Sequence, residues 1–207
     1  MRMRKKKNGS VRMQACAEYL LEADALEQAC EGRRLEIEIG CGKGTFLCES
    51  ARRDPDIFFV GIERVFGVAL LAAEKLRAAE TPNARIMLGD VMTLFRQFPA
   101  HRVSRIYLNF SDPWPKARHA KRRLTYRTFL EEYKKILTPD GAIFFKTDNQ
   151  DLFAFSLQEF EACSFALRNR TDDLHASRWE EGNIHTEYEN NFSAKGFPIH
   201  RVEAYLQ

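Results

Sequence analysis

The 207-residue sequence has no Cys-x-x-Cys pair. Its five cysteines, Cys16, Cys30, Cys41, Cys48 and Cys163, are scattered and odd in number, and its five histidines stand at no ligand spacing beside them. This pattern argues against a disulfide framework and against a structural zinc, and predicts a metal-free protein of the reducing cytoplasm. Long apolar runs are also missing. The longest, Val65 to Ala73, falls far short of the roughly 20 residues of a membrane span, so no membrane association is expected. The basic start, MRMRKKKNGSVR, lacks the apolar core of a secretory signal and predicts a mature N-terminus. Internal repeats and low-complexity segments are absent. What remains is ordinary, with 44% hydrophobic and 29% charged residues, and describes a soluble globular chain with one real core.

The net charge of +3 is mild, but it is clustered. One basic patch covers residues 2 to 12 and reads as a solvated tail; a second covers residues 116 to 127. From Met13 to Cys30 the spacing predicts a helix, with Ala17, Leu20, Leu21, Ala25 and Leu26 on one side. After it, apolar runs at Leu35–Ile39, Ile57–Ile62, Ala84–Leu88, Val103–Leu108 and Ala142–Phe145 alternate with helical segments near Phe46–Arg53, Phe66–Ala79, Met92–Phe98 and Thr125–Leu137. Asp140-Gly141 is expected to close the last of these helices. A helix near Asp151–Phe160 and strands near Ser164–Asn169 and Ile199–Leu206 complete the order. Seven strands separated by helices predict a doubly wound α/β fold with a mostly parallel sheet. Residues 1–34 read as a basic tail and N-terminal helix, and residues 35–207 as one domain.

In such sheets ligands bind at the carboxyl ends of the strands. The first strand ends in EIGCGKGTF, where Gly40, Gly42 and Gly44 allow a tight turn and close backbone approach to a ligand. The GxGxG spacing is neither the dinucleotide GxGxxG nor a P-loop, and no Tyr-x-x-x-Lys pair supports a nicotinamide dehydrogenase. The second strand ends at Glu63, about twenty residues after the glycines, where a carboxylate can accept both ribose hydroxyls. The third ends at Asp90, an acceptor for an adenine amino group. Each acid alone would be merely solvated. With Glu38, the three outline a nucleoside-shaped site with no pyrophosphate to neutralise.

The fourth strand runs into NFSDPWPKARHAKRRL, in which five lysines and arginines occupy Lys116 to Arg123. Pro113 and Pro115 fix φ, so the Asp112 carboxylate is aimed, and Trp114 offers a face for stacking on a base. Taken alone, the loop could also be a surface turn beside a core tryptophan.

The strand-end pattern resembles the class I S-adenosylmethionine-dependent methyltransferases, whose fold is Rossmann-like. The longer strings NFSDPWPKARHAKRRL, FFKTDN and TEYENNFSAKGFPIHR resemble the bacterial tRNA (guanine-N7)-methyltransferase family. That resemblance runs from Glu38 onward and is weak before it. It implies methyl transfer to N7 of the variable-loop guanine, position 46 of tRNA. It implies a cofactor site of Glu38, Gly40, Gly42, Gly44, Glu63, Asp90 and Asp112, with Asp112 also catalytic. It further implies substrate contacts by Lys116, Asp148, Thr186, Glu187, Tyr188 and Glu189. The residues themselves leave Lys116 solvated and Thr-Glu-Tyr-Glu a plain helix start or loop. The track Arg118-His119-Ala120-Lys121-Arg122-Arg123, with Arg127 beyond, is expected to grip phosphates, the other reading being a solvated basic face. Two other functions fit parts of the pattern: a methyltransferase for another nucleic acid or a small molecule, and a noncatalytic RNA-binding module. Monomer and homodimer are both compatible with the sequence.

Overall fold

The computed structural model describes residues 8–193 and 196–207. Most of the basic tail, residues 2–7, lies outside them. The seven strands belong to a mixed, mostly parallel sheet, as the alternating pattern predicts. The chain divides after Phe98 into two compact units.

In the first unit the order is α1 (Gly9–Gln14), α2 (Leu26–Cys30), β1 (Arg34–Ile39), α3 (Thr45–Arg53), β2 (Ile57–Glu63), α4 (Phe66–Ala78), β3 (Ala84–Leu88) and α5 (Val91–Phe95). β1 pairs with β2 and β2 with β3, both parallel. These strands are almost wholly buried, which is why they read as unbroken apolar runs rather than alternations.

The single helix expected over Met13–Cys30 is not formed. Leu20 makes a parallel bridge to Ile86, and the Leu21 N–H donates to the Ile86 carbonyl at 3.0 Å. The segment is drawn out along β3, covering backbone groups that would otherwise be open. Short helical turns on either side bury Met13, Cys16, Tyr19, Leu26 and Cys30, so the apolar spacing marks core contacts rather than one helical face. Arg12, part of the expected solvated tail, forks both of its donors onto the Glu74 carboxylate at 2.7 Å each and ties α1 to α4.

The second unit holds β4 (Val103–Asn109), α6 (Arg127–Ile136), β5 (Leu137–Thr147), α7 (Gln150–Ala162), β6 (Phe165–Thr171), α8 (Glu187–Ser193) and β7 (His200–Leu206). β4 and β5 are parallel, and β7 runs antiparallel to both β5 and β6. Asp140-Gly141 does not close a helix. α6 has already ended at Ile136, and the turn pair forms an irregularity inside β5, where register against β4 jumps from Leu137 to Ala142. A Cβ at Gly141 would sit 2.8 Å from the Thr138 carbonyl oxygen, so only glycine fits that bend. All five cysteines are buried free thiols. Among the described residues no helix is long and apolar enough to cross a membrane.

Candidate active site

The first unit gathers one set of the expected residues at the carboxyl ends of its strands. Gly40, Gly42 and Gly44 have φ of 75°, 57° and 75°, the left-handed region that glycine enters without strain. The Gly40 and Cys41 N–H groups both donate to the Ile62 carbonyl, at 2.8 and 3.2 Å, which pins the loop to β2. The glycines differ in purpose. A Cβ at Gly40 or Gly42 would meet nothing within 4 Å, whereas at Gly44 it would press on the Ala72 Cβ at 3.0 Å. Gly44 serves helix packing, while Gly40 and Gly42 leave an open cradle. Gly61, which sequence reasoning passed over, is also required, because its missing Cβ would come 2.8 Å from the Cys41 sulfur and 2.7 Å from Leu47.

Glu38 is buried at the end of β1. Glu63 is half-buried at the end of β2, its Oε1 accepting from the Val65 N–H at 2.8 Å. Burial, with the Glu38 and Glu63 charges behind it, pushes the Cys41 thiol well above its ordinary range and leaves it inert at neutral pH. Asp90 caps α5, its Oδ1 accepting from the Met92 N–H at 3.0 Å. Beside these acids, three large apolar side chains are each 39–43% exposed: Val65 between β2 and α4, Phe66 at the start of α4 and Leu88 at the end of β3. Open glycine backbone, acceptors at three strand ends and exposed apolar groups could together receive a nucleoside that carries hydrogen-bond donors and positive charge.

The second unit gathers the other set. After β4 the backbone turns left-handed at Phe110 (φ 54°) and again at Trp114 (φ 42°), placing Asp112 exposed between them. Non-glycine residues in this region are uncommon and cluster at functional sites. Next to Asp112, the Ser111 hydroxyl is buried with no hydrogen-bond partner among the described residues.

Asp148 follows β5, in a turn held by the Asn149 N–H donating to Thr147 Oγ1 at 3.1 Å and by Asn149 capping α7. The Tyr188 hydroxyl donates to Asp148 Oδ2 at 3.3 Å, and its ring packs on Phe110 at 5.1 Å between centroids. Burial, reinforced by the Asp148 charge and this hydrogen bond, pushes the phenol up to about 12, so it stays a donor at neutral pH.

Thr186 and Glu189, expected as substrate contacts, stand at the start of α8. They form a capping box: Thr186 Oγ1 accepts from the Glu189 N–H at 2.9 Å, and the Glu189 carboxylate accepts from the Thr186 N–H at 3.3 Å. Glu189 is fully buried and pairs with the buried Lys146 ammonium at 2.7 Å. His175 Nε2 and the Asn183 amide complete its shell at 3.0 and 2.8 Å. His175, His185 and Glu189 thus bring one ligand-capable atom each within 4.8 Å. Each of those atoms is already engaged in hydrogen bonds, and Lys146 already neutralises Glu189, so the cluster is a packed polar network. Exposed Tyr188 and half-buried Glu187 are carried outward on it.

The basic track does not face one way. Ala117–Arg122 form a 3₁₀ turn begun by exposed Lys116, with Arg118, Lys121 and Arg122 exposed. The Arg122 guanidinium lies 4.8 Å over the Trp114 ring, and His119 meets the same ring edge-on. One face of the expected stacking platform is therefore covered. Arg123 points inward: its Nε and Nη2 donate to the Pro113 and Trp114 carbonyls at 3.0 and 3.1 Å. Arg127 forks onto Glu159 at 2.7 and 3.1 Å. Those two guanidiniums have intramolecular anchors where phosphates were expected.

Residues 33–202 match a family model described as "Putative methyltransferase". A relative from Streptococcus equi subsp. equi is 43% identical over 99% of both chains, and one from Brevibacillus brevis is 49% identical over 82% of this chain and 79% of its own. Both are named tRNA (guanine-N(7)-)-methyltransferase. The first spans the N-terminal segment too, so the likeness is not confined to Glu38 onward. Among solved structures, a 30S ribosomal A1408 methyltransferase from an uncultured bacterium (TM-score 0.65, 15% identity, 90% of this chain and 95% of that one) shares the fold. So does the 16S rRNA methyltransferase KamB (TM-score 0.67, 11% identity, 91% and 94%). With a model spanning most of its length and a relative matching it end to end, this chain belongs to the tRNA (guanine-N7)-methyltransferase family.

Proposed function

We propose that this protein transfers a methyl group from S-adenosylmethionine to N7 of a guanine in tRNA, at variable-loop position 46. The observation that carries this reading is the Asp112 loop, which presents an exposed carboxylate between two left-handed turns, in a chain that shares its family's sequence from end to end. Residues 35–207 act as one methyltransferase domain, a reading supported by a family model that runs across both compact units.

The first unit holds the cofactor. Gly40 and Gly42 give the methionine part close backbone approach, and Glu38 accepts from its polar end. Glu63, fixed through Oε1 by Val65, turns Oε2 to the ribose. Asp90, capping α5 with Oδ1, has Oδ2 for the adenine amino group. When bound, the cofactor supplies a methyl made electrophilic by its sulfonium.

The second unit presents the guanine. N7 carries an in-plane lone pair, so no proton need be removed and no general base is needed. Asp112 accompanies the guanine edge and offsets the positive charge that methylation places on the ring. Asp148, oriented by Tyr188, accepts from the N1 and N2 donors, a pair that adenine lacks. Thr186 and Glu189 act through position by setting the start of α8, while Lys116, Glu187 and Tyr188 remain for direct contact. Arg118, Lys121 and Arg122 carry the phosphate role, with His119 and Ala120 shaping the same turn. The reaction fits the cytoplasm, where tRNA is modified, and needs no metal.

Labelled S-adenosylmethionine offered with unmodified tRNA, ribosomal RNA or duplex DNA tests this reading. Label is expected in tRNA alone. Equal labelling of the other nucleic acids, or none of tRNA, would favour a different substrate. The phosphate role has its own check: Arg122→Ala should flatten the salt dependence of tRNA binding by about 0.7 to 0.9 log units per log unit of salt. An unchanged slope would remove Arg122 from the phosphate contacts.

A further inference from the structure

The Asp112 loop is an expensive conformation. Phe110 and Trp114 both sit at positive φ, at 54° and 42°, a strained geometry that persists only where the surroundings over-determine it. Arg123 supplies that determination. Its guanidinium donates from Nε to the Pro113 carbonyl and from Nη2 to the Trp114 carbonyl, the carbonyls of the two residues that immediately follow Asp112. Proline has no N–H, so these carbonyls are among the few handles by which the loop can be held.

The clamp is itself anchored. The Arg123 guanidinium lies 4.3 Å over the Phe155 ring on α7, and Phe155 stacks on Tyr126 at 6.4 Å. Two residues after Arg123, the buried Thr125 hydroxyl bonds the buried Ser156 hydroxyl at 2.7 Å. Two further on, the Arg127 backbone and side chain are both held by Glu159. Phe155, Ser156 and Glu159, close together along α7, therefore fix the segment from which Arg123 reaches back.

We infer that Arg123 is a positioning residue for methyl transfer: anchored on α7, its guanidinium holds the Pro113 and Trp114 carbonyls and thereby aims Asp112. This rests on the catalytic part assigned above to the Asp112 loop. It separates two adjacent arginines that look equivalent in sequence, with Arg122 serving affinity and Arg123 serving rate.

The test compares Arg123→Ala, Arg123→Lys and Arg122→Ala with the native protein, reading single-turnover methylation at saturating tRNA and the salt slope of tRNA binding. Lysine keeps the charge but not the planar fork, so it would rescue a phosphate contact and not this clamp. Both Arg123 variants are expected to lose about 100-fold in single-turnover rate, the scale of a misplacement near 1 Å, while their salt slope stays native. Should the alanine variant fail to fold, the lysine variant decides. A native rate in Arg123→Lys, or a slope reduced as in Arg122→Ala with the rate intact, would overturn the inference. Absence of methylation by the native protein would instead overturn the tRNA reading beneath it.

Discussion

Asp112→Asn is expected to lower turnover by about 100- to 1000-fold with little change in stability or tRNA affinity. Asparagine has the same size and retains an acceptor oxygen, so what is removed is a negative charge. In a displacement that loads positive charge onto guanine, that charge is worth most in the transition state, and the loss belongs in kcat rather than in KM. The side chain is exposed, so thermal stability should move by no more than about 0.5 kcal/mol. Turnover measured with saturating tRNA, beside a melting curve, checks both halves. Native turnover would show that Asp112 is not the group that meets the developing charge.

Lys146→Met is expected to be the most destabilising single change away from the apolar core. Lys146 and Glu189 are both nearly inaccessible, 43 residues apart, and joined at 2.7 Å. Breaking such a pair leaves one charge buried and uncompensated, at a cost of about 3–5 kcal/mol. For a chain of this size that is roughly 6–20 °C in Tm. Burial alone would push the Glu189 carboxyl up; Lys146, with His175 and Asn183, outweighs it and holds the carboxyl below its ordinary value of 4.5. A carboxyl depressed in the folded state contributes stability above its unfolded pKa and loses it as pH falls through the folded one. In Lys146→Met, burial is left unopposed by the ammonium, and the carboxyl moves upward instead. The native-to-variant gap should therefore be widest near neutral pH and close below about pH 4.5. Melting curves between pH 4 and pH 8 would show this; a gap independent of pH would mean that the pair is not what the substitution disturbs. Because the network begins α8, the variant should also misplace Tyr188 and weaken guanine selection.

Most of the strand and helix order was legible because buried parallel strands leave continuous apolar runs, and β3 matches its run end to end. The glycine loop and the strand-end acids were legible because conformation and charge both mark them. Less legible were arrangements whose partners are remote or belong to the backbone. Nothing in Lys-Arg-Arg says that the third residue folds back onto carbonyls nine and ten positions earlier. The Met13–Cys30 segment has helical spacing, yet pairing with Ile86 decides its form. Thr-x-x-Glu is a capping box by its spacing alone, and that local reading describes Thr186 and Glu189 as the structure has them.

The most direct measurement is nucleoside analysis of tRNA transcripts methylated by this protein, one with guanine at variable-loop position 46 and one with adenine there. The account predicts 7-methylguanosine from the first and none from the second. Equal 7-methylguanosine from both, or a different methylated nucleoside, would contradict it.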